Sequence, residues 1–351
     1  KKEGEKMKED VKKKIPRTEK EKEKEKVKED IKKIKKKYKP PQVYREWSLE
    51  TTDTYDPNLS IMYKYLSSMI YDLGGLYKTD FSNLDETLGE IMKEFPIRKY
   101  IGFGTDDTRP GVTYDDVSKR FFPPKDYDNT FGICLYSPER NEIVVVFEGT
   151  DFPALQHGEF GKFFKDVYRD LQMNLTRQGG DSFHSGFYTQ YKSVEKDVED
   201  FIKTYNKDSR IVFTGHSAGG SIAQLGGYLH AKKHSKTGVV NYNFASPRVF
   251  GSRTADNVNK LMPYNYRINM HNDIVPMFPV RIEGRFEQYK HAGREQVFNQ
   301  DGIMVDRKYV DEENMISKEK FDKGLGTALG AALTAGYVYN NPELLVQGKE
   351  A

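Results

Sequence analysis

The chain has 351 residues, enough for one large α/β domain with additions. Its hydrophobic content of 36% is low for a wholly globular chain, and its net charge of +3 sums opposed parts: residues 1–40 hold 19 Lys+Arg against 10 Asp+Glu, the rest 37 against 43. A single cysteine, Cys134, excludes an internal disulfide; no phosphate loop, dinucleotide fingerprint or metal-ligand cluster is legible, so no cofactor and no metal are expected.

Residues 1–40 read as a charged leader. The Glu-Lys alternation of residues 20–28 cannot build a core. It suits a solvated helix with i,i+4 pairs, broken at Pro16 and ended at Pro40 and Pro41. Two readings stay open: a solvated or disordered tail, and attraction to an anionic membrane surface. No aromatic stacking pattern accompanies the charges, so nucleic acid is not expected as a partner. No secretory leader is legible, which favours a cytoplasmic or membrane-peripheral place.

Residues 41–124 read as a largely helical N-terminal extension. Apolar spacing over residues 60–71 predicts a helix opened near Asp56, Pro57 or Ser60, and residues 84–95 predict a second amphipathic helix. Strands are predicted at 131–136 and 141–147, joined through residues 137–140. The run N-E-I-V-V-V-F at 141–147 is nearly continuous in apolar residues, the pattern of a strand buried on both faces. It leads to Glu148, Gly149 and Thr150, where backbone N–H groups are available to a developing oxyanion.

The most informative stretch is I-V-F-T-G-H-S-A-G-G at 211–220. A β-forming run enters a G-x-S-x-G motif at 215–219, and small residues follow as in a helix. That is strand, sharp turn and helix with Ser217 at the apex, an arrangement that exposes a serine nucleophile beside a helix N-terminus. The N–H of Ala218, just after it, is the second expected oxyanion donor. Further strands are predicted at 239–244 and 266–270. The latter leads to Asp273, where a downstream carboxylate would orient a catalytic histidine; a plain turn-capping role is the alternative. Residues 324–338 are small and apolar but shorter than the roughly 20 residues that span a bilayer, so a buried helix is expected, with interfacial insertion as the alternative.

Seven pieces in order give the chain a family resemblance over roughly residues 125–300. They are V-V-V-F-E-G-T (144–150), D-V-Y-R-D-L (166–171), H-S-G-F (184–187), G-H-S-A-G-G (215–220), N-F-A-S-P-R (243–248), N-D-I-V-P-M-F-P (272–279) and Y-K-H-A-G-R-E (289–295). Together they resemble a class 3, fungal-type lipase of the α/β-hydrolase superfamily. The resemblance implies a mostly parallel central sheet in a domain at 125–351. It also implies a lid at 151–165, carrying Phe152, Leu155, Phe160, Phe163 and Phe164 over the serine. Two departures stand out: Glu148 occupies a position where the family usually has arginine, and the tryptophan usual before D-L at 170–171 is absent.

The resemblance implies hydrolysis of lipid carboxylic esters at an interface by an acyl-enzyme route, of the acylglycerol lipase or phospholipase A type. Ser217 is the expected nucleophile, Asp273 the group that orients the base, and Thr150 and Ala218 the oxyanion donors. The base stays open. His291 is the sole histidine after Asp273, yet its stretch resembles a structural segment of the family. The readings are His291 as base in a rearranged site, a base beyond Ala351, or a lipase fold without full activity that serves lipid or membrane binding. His184 resembles a packing residue, and His216 belongs to the elbow.

Overall fold

A computed structural model describes residues 19–37, 55–79, 99–104, 131–138, 140–149, 175–205, 208–235, 238–270, 273, 275–279, 281–282, 288–299, 301–305 and 315–316. In chain order the elements are α1 (Glu19–Lys37), α2 (Pro57–Thr79), β1 (Lys99–Gly104), β2 (Phe131–Ser137), β3 (Glu142–Phe147), β4 (Leu175–Gln178), β5 (Asp181–His184), α3 (Ser185–Tyr205), β6 (Arg210–His216), α4 (Ala218–His234), β7 (Val239–Phe244), β8 (Phe250–Gly251), α5 (Ser252–Leu261), β9 (Tyr264–Met270), a 3-10 turn (Val275–Met277), β10 (Arg281–Ile282), β11 (Tyr289–Lys290), β12 (Arg294–Phe298) and β13 (Met315–Ile316).

Seven strands form the central sheet in the order β1-β2-β3-β6-β7-β9-β12. The first three pair antiparallel, and from β3 onward every pair is parallel. The sheet is therefore mixed and mostly parallel with helices on both faces, the α/β-hydrolase arrangement read from the motifs. A four-stranded sheet, β11-β8-β5-β4, and the pair β10-β13 lie outside it.

Strand periodicity sorts the core into two clusters. Val144 and Val146 of β3 and Val212 of β6 join the cluster around α2, whereas Ile143, Val145, Phe147, Ile211 and Phe213 join the cluster around α3, α4 and α5. Side chains of a strand alternate between faces, so this sheet needs apolar residues at every position. That is why β3 reads as an unbroken apolar run.

Helix α2 covers one face. Leu59, Met62, Tyr63, Leu66, Met69 and Ile70 recur at helical spacing and are all buried on the sheet; each such side chain contributes about 1.5–3 kcal/mol relative to exposure. Asp56 caps the helix, its Oδ1 accepting from the N–H groups of Asn58 at 2.8 Å and Leu59 at 3.4 Å, and Pro57 occupies the first helical position. The sequence reading began this helix correctly but ended it early, because the pattern loses contrast at Gly74 and Gly75.

Strand β1 is a further difference. The sequence reading left K-Y-I-G-F-G inside a largely helical extension, because two glycines in six residues hide its alternation. It pairs along its whole length with β2. The 41–124 segment thus supplies a strand to the central sheet and a helix to the layer that covers it. Leader helix α1 is present as the alternation allowed, and Lys37 pairs with Asp72 of α2 at 2.8 Å. The expected helix at 84–95, the candidate lid, residues 324–338 and Ala351 lie outside the described residues. Among the described residues no helix is long and apolar enough to cross a membrane.

Candidate active site

The C-terminal end of β6 turns directly into α4 at Ser217. The serine adopts φ 55° and ψ −130°, a conformation in which an L-residue is strained. Three contacts hold it there. The Ser217 N–H donates to Phe244 O at 2.9 Å at the end of β7, and Ser217 O accepts from the N–H groups of Gly220 at 3.0 Å and Ser221 at 3.3 Å. The glycines are steric requirements: a methyl group at Gly215 would overlap the carbonyl of Gly219, and one at Gly219 would overlap the backbone of Phe147 and Glu148. The motif's spacing is therefore the spacing at which β6, α4 and the end of β3 can touch.

The hydroxyl of Ser217 makes no capping bond to its own helix and no side-chain hydrogen bond to any described residue. Ala218 opens α4, so its N–H has no partner within the helix and lies beside the serine. Thr150 falls outside the described residues, although Glu148 and Gly149, which lead to it, pack against the elbow.

A support behind the elbow escaped the sequence reading. Tyr71 of α2 places its hydroxyl 3.0 Å from His216 Nδ1 and donates to His216 O at 3.4 Å. A methyl at Gly149 would collide with the same hydroxyl. Tyr71 thus sits where the ends of β3 and β6 meet. Burial pushes the His216 imidazole down to about pKa 3, with the positive charge of Lys64 adding to the effect, so the ring is neutral. Lys64, also on α2, lies over the ring of Phe244 at 5.8 Å. Burial lowers its own pKa, and the charge of Asp273 works against that shift.

Asp273 follows β9, two strands from β6 in the parallel run, so it reaches the same C-terminal edge as Ser217. Its N–H donates to Met270 O at 3.1 Å and its Oδ1 accepts from Val275 N–H at 2.9 Å. The turn-capping geometry and the position expected of an orienting carboxylate thus coincide in one residue.

His291 is placed differently. Its Nε2 lies 2.6 Å from Pro276 O, and the residue is buried ahead of β12. Its neighbour Ala292 accepts a hydrogen bond from Gln224 Nε2 at 2.8 Å. Gln224 stands seven residues beyond Ser217 on α4, about 10 Å along the axis at 1.5 Å per residue. The structure brings Ser217 and Ala218 together and sets Asp273 on their edge, but no described histidine bonds Ser217. The other expected source of a base, sequence beyond Ala351, lies outside the described residues as Ala351 itself does. His184 is fully buried, with its imidazole pushed by burial down to about pKa 3; its Nδ1 accepts weakly from Phe187 N–H at 3.4 Å.

Away from this edge, and not legible in the sequence as a cluster, Glu199, His230 and His234 bring three donor atoms within 4.8 Å of one another. The two histidines four apart were the available signal; Glu199 comes from a different helix, so the cluster exists only in three dimensions.

Parts of this chain are similar to known proteins. Residues 144–283 match the class 3 lipase family. The chain is 28% identical over 137 residues to the secreted mono- and diacylglycerol lipase 1 of Fusarium solani, covering 38% of this chain and 39% of that protein. It is 26% identical over 177 residues to a lipase of Rhizopus niveus, covering 48% and 41%. The chain therefore spans about two fifths of the length of these curated relatives. Among solved structures, the lipase of Rhizopus microsporus var. chinensis is 21% identical, with 74% of this chain and 81% of that one covered and a TM-score of 0.46. The triacylglyceride lipase of Rhizomucor miehei is 23% identical, with 48% and 62% covered and a TM-score of 0.39. Over residues 144–283, less than half of the chain, the sequence is similar to the class 3 lipases.

Proposed function

We propose that this protein is a serine hydrolase that cleaves carboxylic esters of lipids, an acylglycerol lipase in its general class. The backbone of Ser217 carries the reading. A non-glycine residue held at φ 55° between a buried strand and a helix N-terminus is costly, and it serves to present a hydroxyl. In the proposed reaction Ser217 Oγ attacks the acyl carbon while a histidine takes its proton. The N–H groups of Ala218 and Thr150 bind the oxyanion, each worth about 3 kcal/mol. The histidine returns the proton to the leaving alcohol, and water then releases the acid from the acyl-enzyme. Asp273 orients the histidine.

The base in this reading comes from outside the described residues. Supporting that, the His291 Nε2–H is donated to Pro276 O, and Ala292 beside it contacts α4 two turns below the nucleophile. His291 then acts as a brace between the Pro276 turn and β12.

The secreted mono- and diacylglycerol lipase of Fusarium solani makes partial acylglycerols the first substrates to try. Labelling of the full chain by a fluorophosphonate tests the function. Labelling is expected, with loss in Ser217→Ala and retention in His291→Ala. Loss in a folded His291→Ala variant would assign the base to His291. Labelling of a longer form of the protein but not of this 351-residue chain would place the base beyond Ala351; no labelling of either, with lipid still bound, would favour the second reading, a lipid-binding protein on a hydrolase fold. Leader helix α1, rich in exposed lysines, is proposed to favour anionic membrane surfaces; deleting residues 1–40 should then weaken binding to phosphatidylserine vesicles while leaving labelling intact.

A further inference from the structure

Helices α3 and α4 carry a second constellation, away from the elbow. Glu199 stands on α3, and His230 and His234 stand four residues apart on α4, hence on one face. His230 Nδ1 lies 2.7 Å from Glu199 Oε1 and His234 Nε2 lies 2.7 Å from Glu199 Oε2. The two imidazole rings are 4.6 Å apart between centroids. The cluster has a buried floor and an open side: the side chains of His230, Glu199 and His234 are 1%, 12% and 45% exposed. His230 Nε2 is buried without a hydrogen-bond partner, so the ring's polar contact is with Glu199 alone.

We propose that Glu199, His230 and His234 form a binding site for a divalent cation of the zinc type, which would pin the end of α4 to α3. Two imidazole nitrogens and one carboxylate oxygen are a zinc donor set, with water completing a tetrahedron. At metal–ligand bonds of about 2.0–2.1 Å, tetrahedral donors stand roughly 3.3–3.4 Å apart. The present 2.7 Å contacts, one to each oxygen of Glu199, need to open by less than about 1 Å, and donor atoms that now stand within 4.8 Å of one another need to close by up to about 1.5 Å. Each neutral imidazole carries one proton, which must sit on the nitrogen facing away from the metal.

The surroundings favour a cation here. The cluster occupies the last turn of α4, the negative end of the helix dipole, where Lys232, Lys233 and His234 already gather. Lys233 Nζ lies 3.3 Å from Glu199 Oε2 and its side chain is 51% exposed. It holds the carboxylate as a metal would and is free to swing into solvent when one binds. The half-exposed His234 leaves an entry path. The site stands thirteen and seventeen residues past Ser217, about 20–25 Å along α4, so its role is to fix helix packing rather than to touch substrate.

The test is zinc titration of the full-length chain after treatment with a chelator, followed by calorimetry and by thermal unfolding. One zinc per chain is expected, with a rise in Tm that calcium and magnesium do not reproduce. His234→Ala and Glu199→Gln should weaken binding by at least roughly the 10–100-fold that loss of a supporting partner costs a metal site. Lys233→Ala should bind as tightly or more tightly. His234 is half exposed, so its variant is expected to keep the fold, checked by circular dichroism. Absence of stoichiometric uptake overturns the proposal, and so does unchanged affinity in both His234→Ala and Glu199→Gln, which would put the metal elsewhere.

Discussion

Tyr71 reaches from helix α2 to the residue before Ser217, its hydroxyl 3.0 Å from His216 Nδ1 and 3.4 Å from His216 O. The N-terminal segment is thereby part of the wall that holds Ser217. Tyr71→Phe keeps the ring and deletes the hydroxyl, so it should cost about 1 kcal/mol of stability. If the hydroxyl also positions the elbow, kcat on a soluble ester should fall with KM little changed. Steady-state kinetics beside thermal unfolding separate the two effects; an unchanged kcat in a destabilised protein would leave Tyr71 a purely structural role.

Asp273→Asn should leave the turn largely intact, because the side-chain oxygen still accepts from Val275 N–H. It removes the charge that, in the proposed reaction, holds an imidazolium. A loss of kcat approaching about 10,000-fold is expected for a triad carboxylate, read by ester hydrolysis. A loss within a few-fold would make Asp273 a capping residue only.

Gly219→Ala places a methyl group against the backbone of Phe147 and Glu148, which cannot rotate away as a side chain can. Overpacking of this kind costs about 1–3 kcal/mol, and here it drives the elbow away from the end of β3. Both Tm and fluorophosphonate labelling should fall, whereas Gly238→Ala, where nothing lies within 4 Å, should change neither.

Glu142 is buried at the N-terminal ends of β3 and β6 between Arg140 at 3.7 Å and Arg210 at 3.6 Å, and it accepts from the Tyr63 hydroxyl at 3.0 Å. Burial raises its pKa, and the two guanidiniums oppose the rise. Glu142→Gln keeps the shape and leaves two buried cations short of a counter-charge, so a loss of about 3–5 kcal/mol is expected in urea unfolding. A loss under 1 kcal/mol would mean that water or other partners neutralise the pair.

His184 and His216 make stability depend on pH. Both imidazoles are held at about pKa 3 when folded, below the ordinary 6.5. Burial causes both shifts; Lys64 adds to that of His216, which faces Tyr71, while His184 packs on Phe187 and Tyr289. The unfolded chain binds protons that the folded chain refuses, so stability is full above about pH 6.5 and is lost as pH falls toward 3. Each ring contributes up to about 1.4 kcal/mol per pH unit in that window. Urea midpoints at pH 7, 6, 5 and 4 should trace the loss, and His184→Gln should shallow it. A flat profile from pH 6 to 4 would contradict the buried neutral rings.

Local signals carried far in this chain. The apolar run of β3, the helical apolar spacing of α2 and the glycines around Ser217 are each dictated by neighbours close in sequence, and each was legible. Strand β1 was not, because a glycine-rich edge strand has little periodicity of its own and exists through pairing with β2. The extent of α2 was missed where Gly74 and Gly75 interrupt a pattern whose partner is the sheet.

The sequence by itself determined the elbow: a β-forming run, a serine flanked by glycines and a following helix admit one sharp turn, since steric exclusion at Gly215 and Gly219 acts within a few residues. It also located the strands on either side of that turn, at 141–147, 239–244 and 266–270, though their order in the sheet came from the fold. Only the tertiary structure decided what surrounds them. Tyr71 and Lys64 come to His216 and Asp273 from more than a hundred residues away, His291 meets Pro276, and Glu199 meets two histidines of another helix. Such contacts depend on how layers stack, and a linear pattern records which face of an element is apolar but not which polar groups the opposing layer will set against it.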